Sequence, residues 1–408
     1  MRCPAGFLQA TMAKIAIIHH SGVIGGAGVS LINTIKALSS QHEITVFVSD
    51  SPDDILKTLK KCQDELGIKV ESYGRRIGAL TYYNGGDRIF SPRFLYRFSL
   101  IIKQWLYWNR TLRELNPDII ITNSIILSWM SLLPEVRRRK SICFVRETIC
   151  GSIRHSFNKF LRRLLSGFDR VAYLSEFDRE SWNFDKTQSE VIRNFIDTSS
   201  LDNTISRDSA CKLLNLEPAS FHVLYVGGGS HMKGFDLAIK SVLNLNESMD
   251  IEVIIAGVDF DDRMRMGGGK LSKYETEIQS YILQHQYRSK VHMVGRQLNM
   301  SQCYAASDVL IVPMRRVHQS RPVFEAGYYS KPVIISHFPN IKEDVIDGIN
   351  GLLFKPDNVD DLSNKILQLA SDHQLATEIG NRNRQMTERN HSEASSRRAI
   401  LNLIMQIS

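Results

Sequence analysis

The sequence predicts an α/β protein built from two doubly wound, Rossmann-like domains that face a central cleft. Short apolar runs of strand length alternate with amphipathic helical stretches over most of the 408 residues. A pattern of strand, glycine-rich turn and helix occurs near the start of the chain and begins again at residue 221. Ligands of such domains bind beyond the carboxyl ends of the strands, so the cleft is the predicted site.

The first domain is predicted from residue 14 onward. An apolar run begins at Lys14 and is followed by a turn with four glycines and by a helical pattern that ends near Leu38. The next strand is predicted at 43–48. Further strands are predicted at 118–122, 141–145, 170–174 and 190–192, with helical stretches between most of them. Near-continuous apolar strands of this kind are typical of a parallel sheet that helices cover on both faces.

The second domain repeats the pattern, with a strand at 221–226, a glycine turn at 227–230 and a helix from Phe235. Its later strands are predicted at 251–256, 291–294, 309–312 and 333–335. The polar stretch from Thr198 to Ser209 is the predicted linker. We expect a poorly ordered extension at 1–13, a first domain at 14–203, a second domain at 204–388, and a C-terminal helix at 389–408 that returns to the first domain.

The composition is that of a globular protein, with 43% hydrophobic and 23% charged residues. No apolar run approaches the roughly 18 to 20 residues of a membrane span. The start of the chain lacks the apolar stretch of a signal peptide, and either Met1 or Met12 is the expected first residue, so we expect a cytoplasmic protein. The six cysteines form no C-x-x-C pair, which argues against a zinc site and against a disulfide framework.

The net charge of +8 is concentrated in the first half of the chain, where residues 1–200 carry 28 Lys and Arg against 19 Asp and Glu. Two stretches there, 92–115 and 153–165, mix basic residues with aromatic and aliphatic ones. Basic amphipathic helices with aromatic anchors can lie on an anionic membrane surface. The alternative is that these helices pack on the sheet and expose only their charged face. No nucleic-acid recognition module is readable, so nucleic acid is not an expected partner.

Glu325 is the most informative carboxylate of the chain. Pro322 marks the start of a short predicted helix around it, and the helix leads through Lys331 into an apolar strand. The free N–H groups at a helix start suit a phosphate, and an ionised carboxylate can accept hydrogen bonds from both hydroxyls of a ribose. The alternative is an ordinary helix carboxylate on a solvated face.

The two glycine turns are the other candidate sites. Gly25 and Gly26 follow the first strand, and Asp50 ends the second strand where a dinucleotide-binding protein would carry its ribose-binding acid. The glycine spacing is not G-x-G-x-x-G, so a nicotinamide enzyme and a purely structural turn are alternatives to a ligand loop. In the second half, Lys233 lies between a strand and a helix, where its ammonium could neutralise a diphosphate.

From about residue 14 onward the chain resembles the retaining glycosyltransferases of the family-4 group, also called group 1 glycosyltransferases, whose fold is GT-B. No single motif is specific, but the ordered set extends over nearly the whole chain. The matching positions are Gly25 and Gly26, 174–177, 191–197, Lys233 and Gly234, Asp308 with Pro313, 325–327, 331–333 and 343–354. The resemblance implies sugar transfer from a UDP- or GDP-linked donor, without a metal or a cofactor.

The resemblance also implies roles for particular residues. Basic residues of the first loop in the second domain bind the donor diphosphate, and Glu325 holds the ribose. We expect the donor-binding residues to be Gly25, Gly26, Gly228, Gly229, Lys233, Gly295, Arg296, Arg321, Pro322, Val323 and Glu325. We expect the catalytic residues to be Arg146, Glu147, Lys233 and Glu325.

The chain departs from the family pattern at three places. Val317 stands where a second carboxylate is common, and Gly228 stands where an arginine is common. Arg146 and Glu147 stand where a histidine often follows the fifth strand, as in some members of the family. We expect Arg321 or Arg315 to supply the missing charge. Glu147 either orients substrate hydroxyls or pairs with a nearby arginine.

These observations and the resemblance favour a retaining glycosyltransferase that acts on a saccharide or a lipid-linked saccharide, and the resemblance implies a role in cell-surface polysaccharide assembly. One alternative is a sugar-nucleotide epimerase or a phosphorylase of the same architecture. Another is a donor-binding protein with weakened catalysis, which the residues at 228 and 317 would explain. We expect a cytoplasmic enzyme that associates with the inner face of the cytoplasmic membrane.

Overall fold

The computed structural model describes residues 12–22, 25–50, 55–80, 91–148, 156–184, 187–198, 201–245, 250–260, 271–297 and 299–407. The chain divides into two compact units. The first unit consists of residues 1–195 with 394–408, and the second consists of residues 196–393. The division falls before the predicted linker, Thr198 to Ser209, and a helix begins inside that stretch at Arg207. The expected N-terminal extension lies almost wholly outside the described residues.

Both units are built on parallel sheets. The strands are β1 (Lys14–Ile18), β2 (Glu43–Val48), β3 (Lys69–Ser72), β4 (Ile119–Thr122), β5 (Lys140–Phe144), β6 (Arg170–Tyr173), β7 (Ser189–Val191), β8 (Phe221–Val226), β9 (Ile251–Ala256), β10 (Val291–Gly295), β11 (Val309–Val312), β12 (Val333–Ser336) and β13 (Leu352–Phe354). Apart from β3 and β13, each strand coincides closely with a predicted one.

Helices connect the strands. They are α1 (Gly26–Leu38), α2 (Ile55–Leu66), α3 (Pro92–Leu115), α4 (Pro134–Arg138), α5 (Ser156–Leu165), α6 (Glu176–Ser181), α7 (Arg207–Leu214), α8 (Phe235–Leu243), α9 (Lys273–Gln284), α10 (Ser301–Ala306), α11 (Arg321–Tyr328), α12 (Val359–Ser371), α13 (His373–Asn390) and α14 (Glu393–Met405). Among the described residues, no helix combines the length and apolarity needed to cross a membrane.

The first unit has seven strands in the order β3-β2-β1-β4-β5-β6-β7. Successive side chains of a strand point to opposite faces, so Ile15 and Ile17 of β1 join one core while Ala16 and Ile18 join the other. Both faces of this sheet are therefore buried, which explains the apolar strands. Helix α14 packs Ile400 into the same core as Ile15 and Ile17.

The second unit has six strands in the order β10-β9-β8-β11-β12-β13. Its sheet likewise separates two cores, with Val223 and Tyr225 on one side and Leu224 on the other. The predicted fold class, two doubly wound parallel α/β domains, is confirmed. In each unit the strand order reverses beside the first strand, between β1 and β4 and between β8 and β11. Loops at the carboxyl ends of these strand pairs are the expected ligand sites.

Candidate functional site

The predicted diphosphate loop joins β8 to α8, and backbone contacts fix its end. Gly234 has a φ of 71°, a left-handed conformation that favours glycine. A Cβ atom on Gly234 would lie 1.8 Å from the carbonyl oxygen of Pro313, directly after β11. The main-chain N–H of Arg315 donates to the carbonyl of Met232 at 2.9 Å. The end of β11 therefore positions Lys233, the residue before Gly234.

Lys233 brings a positive charge to this edge of the sheet. Desolvation by the surrounding protein lowers its pKa, but its side chain is exposed to solvent, and we therefore treat it as a cation at neutral pH. His318, between β11 and α11, is its neutral neighbour. Burial, and then the charge of Lys233, lower the pKa of His318 to about 4.

Three of the donor-binding residues predicted in the second unit are glycines, two in the loop after β8 and one at the end of β10. A Cβ atom on Gly228 would meet nothing within 4 Å, whereas one on Gly229 would lie 2.8 Å from Oε1 of Glu275. Gly295 ends β10 in the left-handed region, with a φ of 65°. Arg296, which follows, is exposed. The position that lacks the family's arginine, Gly228, therefore has open space around it.

Glu325 lies in α11, which follows β11, the sheet neighbour of β8. Its side chain is 18% exposed, and Nε of Arg321 lies 3.5 Å from its Oε1. The phenol of Tyr304 donates to its Oε2 at 2.8 Å. The guanidinium of Arg321 also lies over the ring of Phe324, 5.3 Å from the ring centroid. The carboxylate of Glu325 is therefore fixed by Tyr304 and Arg321. It is not the freely solvated helix carboxylate that was the alternative.

Helix α11 packs closely on α13 through two glycines. A Cβ atom on Gly327 would lie 2.1 Å from Oγ1 of Thr387, and one on Gly380 would lie 2.1 Å from the carbonyl oxygen of Ser330. Such close approach needs residues without a side chain. The position of Glu325 is therefore set by the close packing of α11, and of the turn after it, on α13.

Two predicted donor-binding residues of α11 have structural roles. Pro322 lies in the first turn of the helix, where its fixed φ is favourable. The side chain of Val323 is 5% exposed and joins the core, and its main-chain N–H donates to the carbonyl of Ser320 at 3.2 Å. A donor contact by either residue stays a prediction.

Arg315 was one of two arginines expected to supply the missing charge, and this expectation is wrong. Its guanidinium donates to both carboxylate oxygens of Asp236, at 2.6 and 2.8 Å, and to Asp357 at 2.6 Å. Burial opposes ionisation of Asp236, but hydrogen bonds from Arg315 and Tyr274 outweigh it and lower its pKa to about 2. Arg315 therefore holds the start of α8 in place.

In the first unit, Glu147 lies just beyond β5 and accepts several hydrogen bonds. The main-chain N–H groups of Ile125 and Arg146 donate to its Oε2 at 3.0 and 2.9 Å, and the hydroxyl of Ser124 donates to Oε1. Burial is the largest influence on its pKa and raises it despite these bonds. The charge of Arg146 acts on the pKa of Glu147 in the opposite sense but is a smaller influence than burial and these hydrogen bonds.

The side chain of Arg146 begins a row of polar contacts that runs through Asn123 to His19, and the sequence did not predict it. Its Nε donates to Oδ1 of Asn123 at 2.8 Å, and its Nη2 donates to the hydroxyl of Thr34 at 3.2 Å. Nδ2 of Asn123 lies 3.0 Å from Nδ1 of His19. His19 and Asn123 directly follow β1 and β4, and His20 lies beside His19 with its ring centroid 4.8 Å away. The only sequence signal was a pair of histidines at the end of a strand.

Gly25 and Gly26 begin α1. Gly25 is the exposed N-cap, and a Cβ atom on it would meet nothing within 4 Å. The carbonyl of Gly26 accepts a hydrogen bond of 2.9 Å from Ser30, whose hydroxyl also contacts Asn194 at 2.6 Å. The turn before Gly25 lies partly outside the described residues. A side chain would fit at position 25 without a clash. The expected close approach of Gly25 to a ligand stays a prediction.

Two family models match the chain and together cover most of it. The model described as glycosyl transferases group 1 matches residues 212–386, and the model described as glycosyltransferase family 4 matches residues 24–200. Across the ranges that the structure describes, no group of three or more His, Cys, Asp or Glu side chains is arranged to hold a metal ion.

Two curated relatives match part of the chain. An uncharacterized glycosyltransferase of Methanocaldococcus jannaschii is 27% identical over 168 residues, which are 41% of this chain and 43% of the relative. The lipopolysaccharide core biosynthesis mannosyltransferase LpsB of Rhizobium meliloti is 27% identical over 172 residues, which are 41% of this chain and 47% of the relative. The chain thus spans less than half the length of these relatives.

Solved structures match over nearly the whole chain. HepE of Anabaena, in complex with UDP-glucose, superposes with a TM-score of 0.75 at 19% identity, covering 97% of this chain and 100% of HepE. Sucrose-phosphate synthase of Thermosynechococcus elongatus superposes with a TM-score of 0.73 at 17% identity, covering 97% of this chain and 98% of that protein. At these identities the likeness concerns the fold.

Proposed function

Because the chain belongs to the group 1 glycosyltransferases, we propose that it transfers a sugar, with retention, from a nucleotide diphosphate sugar to a saccharide or a lipid-linked saccharide. One observation carries the proposal. A cation, Lys233, and a held carboxylate, Glu325, follow the neighbouring strands β8 and β11, where the strand order of the second unit reverses. That edge is where doubly wound sheets bind nucleotides.

The two side chains suit the two ends of a nucleoside diphosphate. Lys233 neutralises the diphosphate and, during transfer, the negative charge that develops on the leaving group. Glu325 accepts hydrogen bonds from the ribose hydroxyls through the lone pairs that Tyr304 and Arg321 leave available. HepE, which has the same fold, was solved with UDP and with UDP-glucose, which supports a UDP-linked donor.

The proposed reaction needs no metal and no separate base. The acceptor oxygen bonds to the anomeric carbon on the face from which the diphosphate leaves. The bond from that carbon to the phosphate oxygen breaks, and the acceptor proton passes to the departing phosphate oxygen. Lys233 stabilises the charge that remains on the diphosphate.

A thermal-shift panel of UDP- and GDP-linked sugars tests donor binding, since a ligand that binds the native state raises the melting temperature. The donor found in this way is then incubated with saccharide acceptors, and the anomeric configuration of the product is read by NMR. We expect one nucleotide sugar to stabilise the protein and the product to keep the donor's configuration. A product of inverted configuration would contradict retention.

The alternatives give different products. An epimerase converts the donor without any acceptor, and a phosphorylase requires orthophosphate. A donor-binding protein with weakened catalysis binds the nucleotide sugar but yields neither hydrolysis nor transfer. The departures from the family pattern at Val317 and Gly228 favour this donor-binding role, which is therefore the second candidate function.

A lipid-linked acceptor at an anionic membrane is favoured by the surface of α3. One face of this helix is buried in the first unit, through Phe94, Ile101 and Trp108. A second apolar stripe is exposed at helical spacing, and its members are Leu95 (51%), Phe98 (43%), Ile102 (67%) and Leu106 (78%). Lys103 and Arg110 are exposed beside the stripe.

This arrangement differs from the alternative in which α3 exposes only its charged face. Helix α5 adjoins α3 through Phe94 and Phe157, whose ring centroids lie 6.2 Å apart, and it adds the exposed Phe160. A surface that joins apolar anchors to cations suits an anionic bilayer. The first residues of the predicted second stretch, 153–155, lie outside the described residues. We therefore propose peripheral binding to the inner face of the cytoplasmic membrane and a role in cell-surface polysaccharide assembly, which the similarity to LpsB also supports.

A further inference from the structure

The carboxyl edge of the first unit holds a chain of polar groups that runs from Arg146 through Asn123 to His19. These residues follow three adjacent strands, β5, β4 and β1. Arg146 donates to Oδ1 of Asn123 at 2.8 Å. Nδ2 of Asn123 donates to the carbonyl of Ala27 at 3.2 Å and lies 3.0 Å from Nδ1 of His19. His19 is fully buried.

The identity of the groups in this chain fixes where the proton of His19 lies. A guanidinium can only donate, so the Asn123 atom that faces Arg146 must be the amide oxygen. The amide nitrogen then faces His19, and Nδ1 of the imidazole must accept its hydrogen. Burial, the neighbouring His20 and the charge of Arg146 all lower the pKa of His19 well below its ordinary value, which keeps the ring neutral. The single ring proton is therefore on Nε2.

This Nε2–H group is an unmatched donor. Nε2 of His19 is buried and has no hydrogen-bond partner within the described part of the chain. A buried N–H group without an acceptor is costly, so an oxygen atom from outside the protein would gain by binding there. The position is the edge of a doubly wound sheet at its reversal of strand order, where substrates of such folds lie.

We propose that Nε2–H of His19 donates a hydrogen bond to a hydroxyl oxygen of a bound sugar, and that Arg146 is a positioning residue that orients His19 through Asn123. The inference rests on the proposed function, since it assigns a sugar to this edge. It also gives Arg146 an indirect role in place of the direct catalytic one that the sequence predicted. Because Nδ1 already accepts a hydrogen bond and Nε2 already carries a proton, His19 is not the base of the reaction.

The tautomer is tested first, by NMR of the full chain labelled with ¹⁵N at the histidine rings, with His19 assigned by the loss of its signals in His19→Gln. We expect the proton on Nε2 at pH 7. In Asn123→Asp the carboxylate can only accept from His19, so the ring proton should move to Nδ1. His42, whose Nδ1 accepts from the N–H of Ala13 at 3.3 Å, is the internal control and should keep its Nε2 proton in every variant. A wild-type His19 with its proton on Nδ1 would overturn the proposal.

Substrate contact is tested next, by following the Nε2 signal of His19 as UDP-glucose, UDP-N-acetylglucosamine or GDP-mannose is added. A shift with a nucleotide sugar alone identifies the donor sugar as the ligand. A shift that appears only after methyl glucoside is added as well identifies the acceptor. An unchanged Nε2 signal in a sample whose melting temperature shows that the nucleotide sugar is bound would overturn the contact. Failure of all these nucleotides to bind would count against the proposed function and would leave the tautomer result standing.

Variant kinetics separate a positioning role from a structural one. His19→Gln should lower turnover roughly 10- to 100-fold, with little change in the KM for the nucleotide sugar. Arg146→Met removes one of the two contacts that orient the amide of Asn123, the other being the carbonyl of Ala27, so the Nδ1 tautomer of His19 should become partly populated and turnover should fall in proportion. Should His19→Gln fail to fold, as judged by its melting curve, Arg146→Met still decides the inference. Normal turnover in a folded Arg146→Met variant with mixed tautomers would contradict it.

Discussion

The phenol of Tyr304 donates a hydrogen bond of 2.8 Å to Oε2 of Glu325, and it does so from a fully buried ring. Burial, and then the charge of Glu325, raise the pKa of Tyr304 well above its ordinary value. The phenol therefore stays protonated around neutral pH and remains a hydrogen-bond donor. Glu325 is held from one side by a neutral donor and approached from the other by Arg321, whose Nε lies 3.5 Å from Oε1.

This arrangement predicts that Glu325→Gln weakens nucleotide binding and leaves the fold intact. The amide keeps the shape of the side chain but replaces one acceptor oxygen with a donor, so ribose hydroxyls lose a charged acceptor. We expect a loss of about 1.5 to 3 kcal/mol, or roughly 10- to 150-fold in Kd, measured by calorimetry with the nucleotide selected by thermal shift. The control is Glu378→Gln, which changes an exposed carboxylate of α13. Equal affinity in both variants would remove Glu325 from the ribose site.

Lys233→Met should weaken binding of the diphosphate in particular. Methionine keeps the aliphatic length but removes the cation, so nucleoside diphosphates should lose roughly 1 to 3 kcal/mol of binding free energy while the nucleoside alone loses little. The matched control is Lys273→Met, which removes an exposed cation at the start of α9. The same loss for the nucleoside and its diphosphate would show that Lys233 does not contact phosphate.

Gly228 and Gly234 should respond in opposite ways to a side chain. Gly228→Arg places the family's usual cation in open space, so we expect normal stability and tighter binding of nucleoside diphosphates. Gly234→Ala sets a Cβ atom 1.8 Å from the Pro313 carbonyl oxygen at a φ of 71°, so we expect a lower melting temperature. Thermal melts and calorimetry distinguish the outcomes. A destabilised Gly228→Arg variant would mean that the space at residue 228 is occupied.

The stability of the first unit should fall in weak acid because of His20. Burial is the main cause that lowers the pKa of His20 from 6.5 to about 4, with a smaller contribution from Arg97. The unfolded chain therefore binds the proton at higher pH than the folded one. The contribution of His20 to the free energy of unfolding is complete above pH 6.5 and falls as the pH drops towards 4, by at most about 3 kcal/mol.

Denaturant unfolding between pH 7 and pH 4 measures this effect. His20→Gln should flatten the decline in stability, whereas His373→Gln, which changes an exposed histidine of α13, should not. His19 packs against His20, and burial lowers its pKa as well. Part of the decline in stability should therefore remain in His20→Gln. Identical pH profiles for wild type and His20→Gln would show that the pKa of His20 is not lowered in the folded protein.

The exposed stripe of α3 predicts binding to anionic vesicles. We expect the protein to float with vesicles that contain phosphatidylglycerol and to remain unbound with pure phosphatidylcholine. Ile102→Ser with Leu106→Ser should abolish flotation, because it removes the two most exposed anchors of the stripe, at 67% and 78%. The control pair, Leu213→Ser with Leu283→Ser, removes exposed leucines of the second unit. Flotation that survives loss of the stripe would place the contact elsewhere.

All strands of the two sheets except β3 and β13 were predicted from the sequence, most of them from their apolar runs. Strand β3 was not predicted, because it lies at the edge of its sheet and its residues, with Lys69 and Ser72 at its ends, are largely exposed. Strand β13 has only three residues, from Leu352 to Phe354. Strand β3 is not apolar, and β13 is apolar but shorter than the run of about four to eight residues that indicates a buried strand.

The candidate site was predictable where a local motif marks it, as at Lys233 and Glu325. It was not predictable where a contact joins distant segments. His19 and Asn123 are separated by 104 positions, and their relation depends on the pairing of β1 with β4. Arg315 was one of two arginines expected to supply a missing charge, because the sequence does not reveal its partner Asp236, which lies 79 positions earlier in the helix after the neighbouring strand β8.

The two glycine contacts that hold α11 against α13, and the one that holds Gly234 against Pro313, have a consequence for substitutions nearby. The frame of this edge depends on close approaches at glycines, most of them to main-chain atoms, so exchanges of other neighbouring side chains need not disturb it. Residues 228 and 317 are two of the positions where the sequence predicts a departure from the family pattern, and residue 228 has open space around it. We therefore expect a side chain added at residue 228 to change what the neighbouring site binds while the scaffold stays the same.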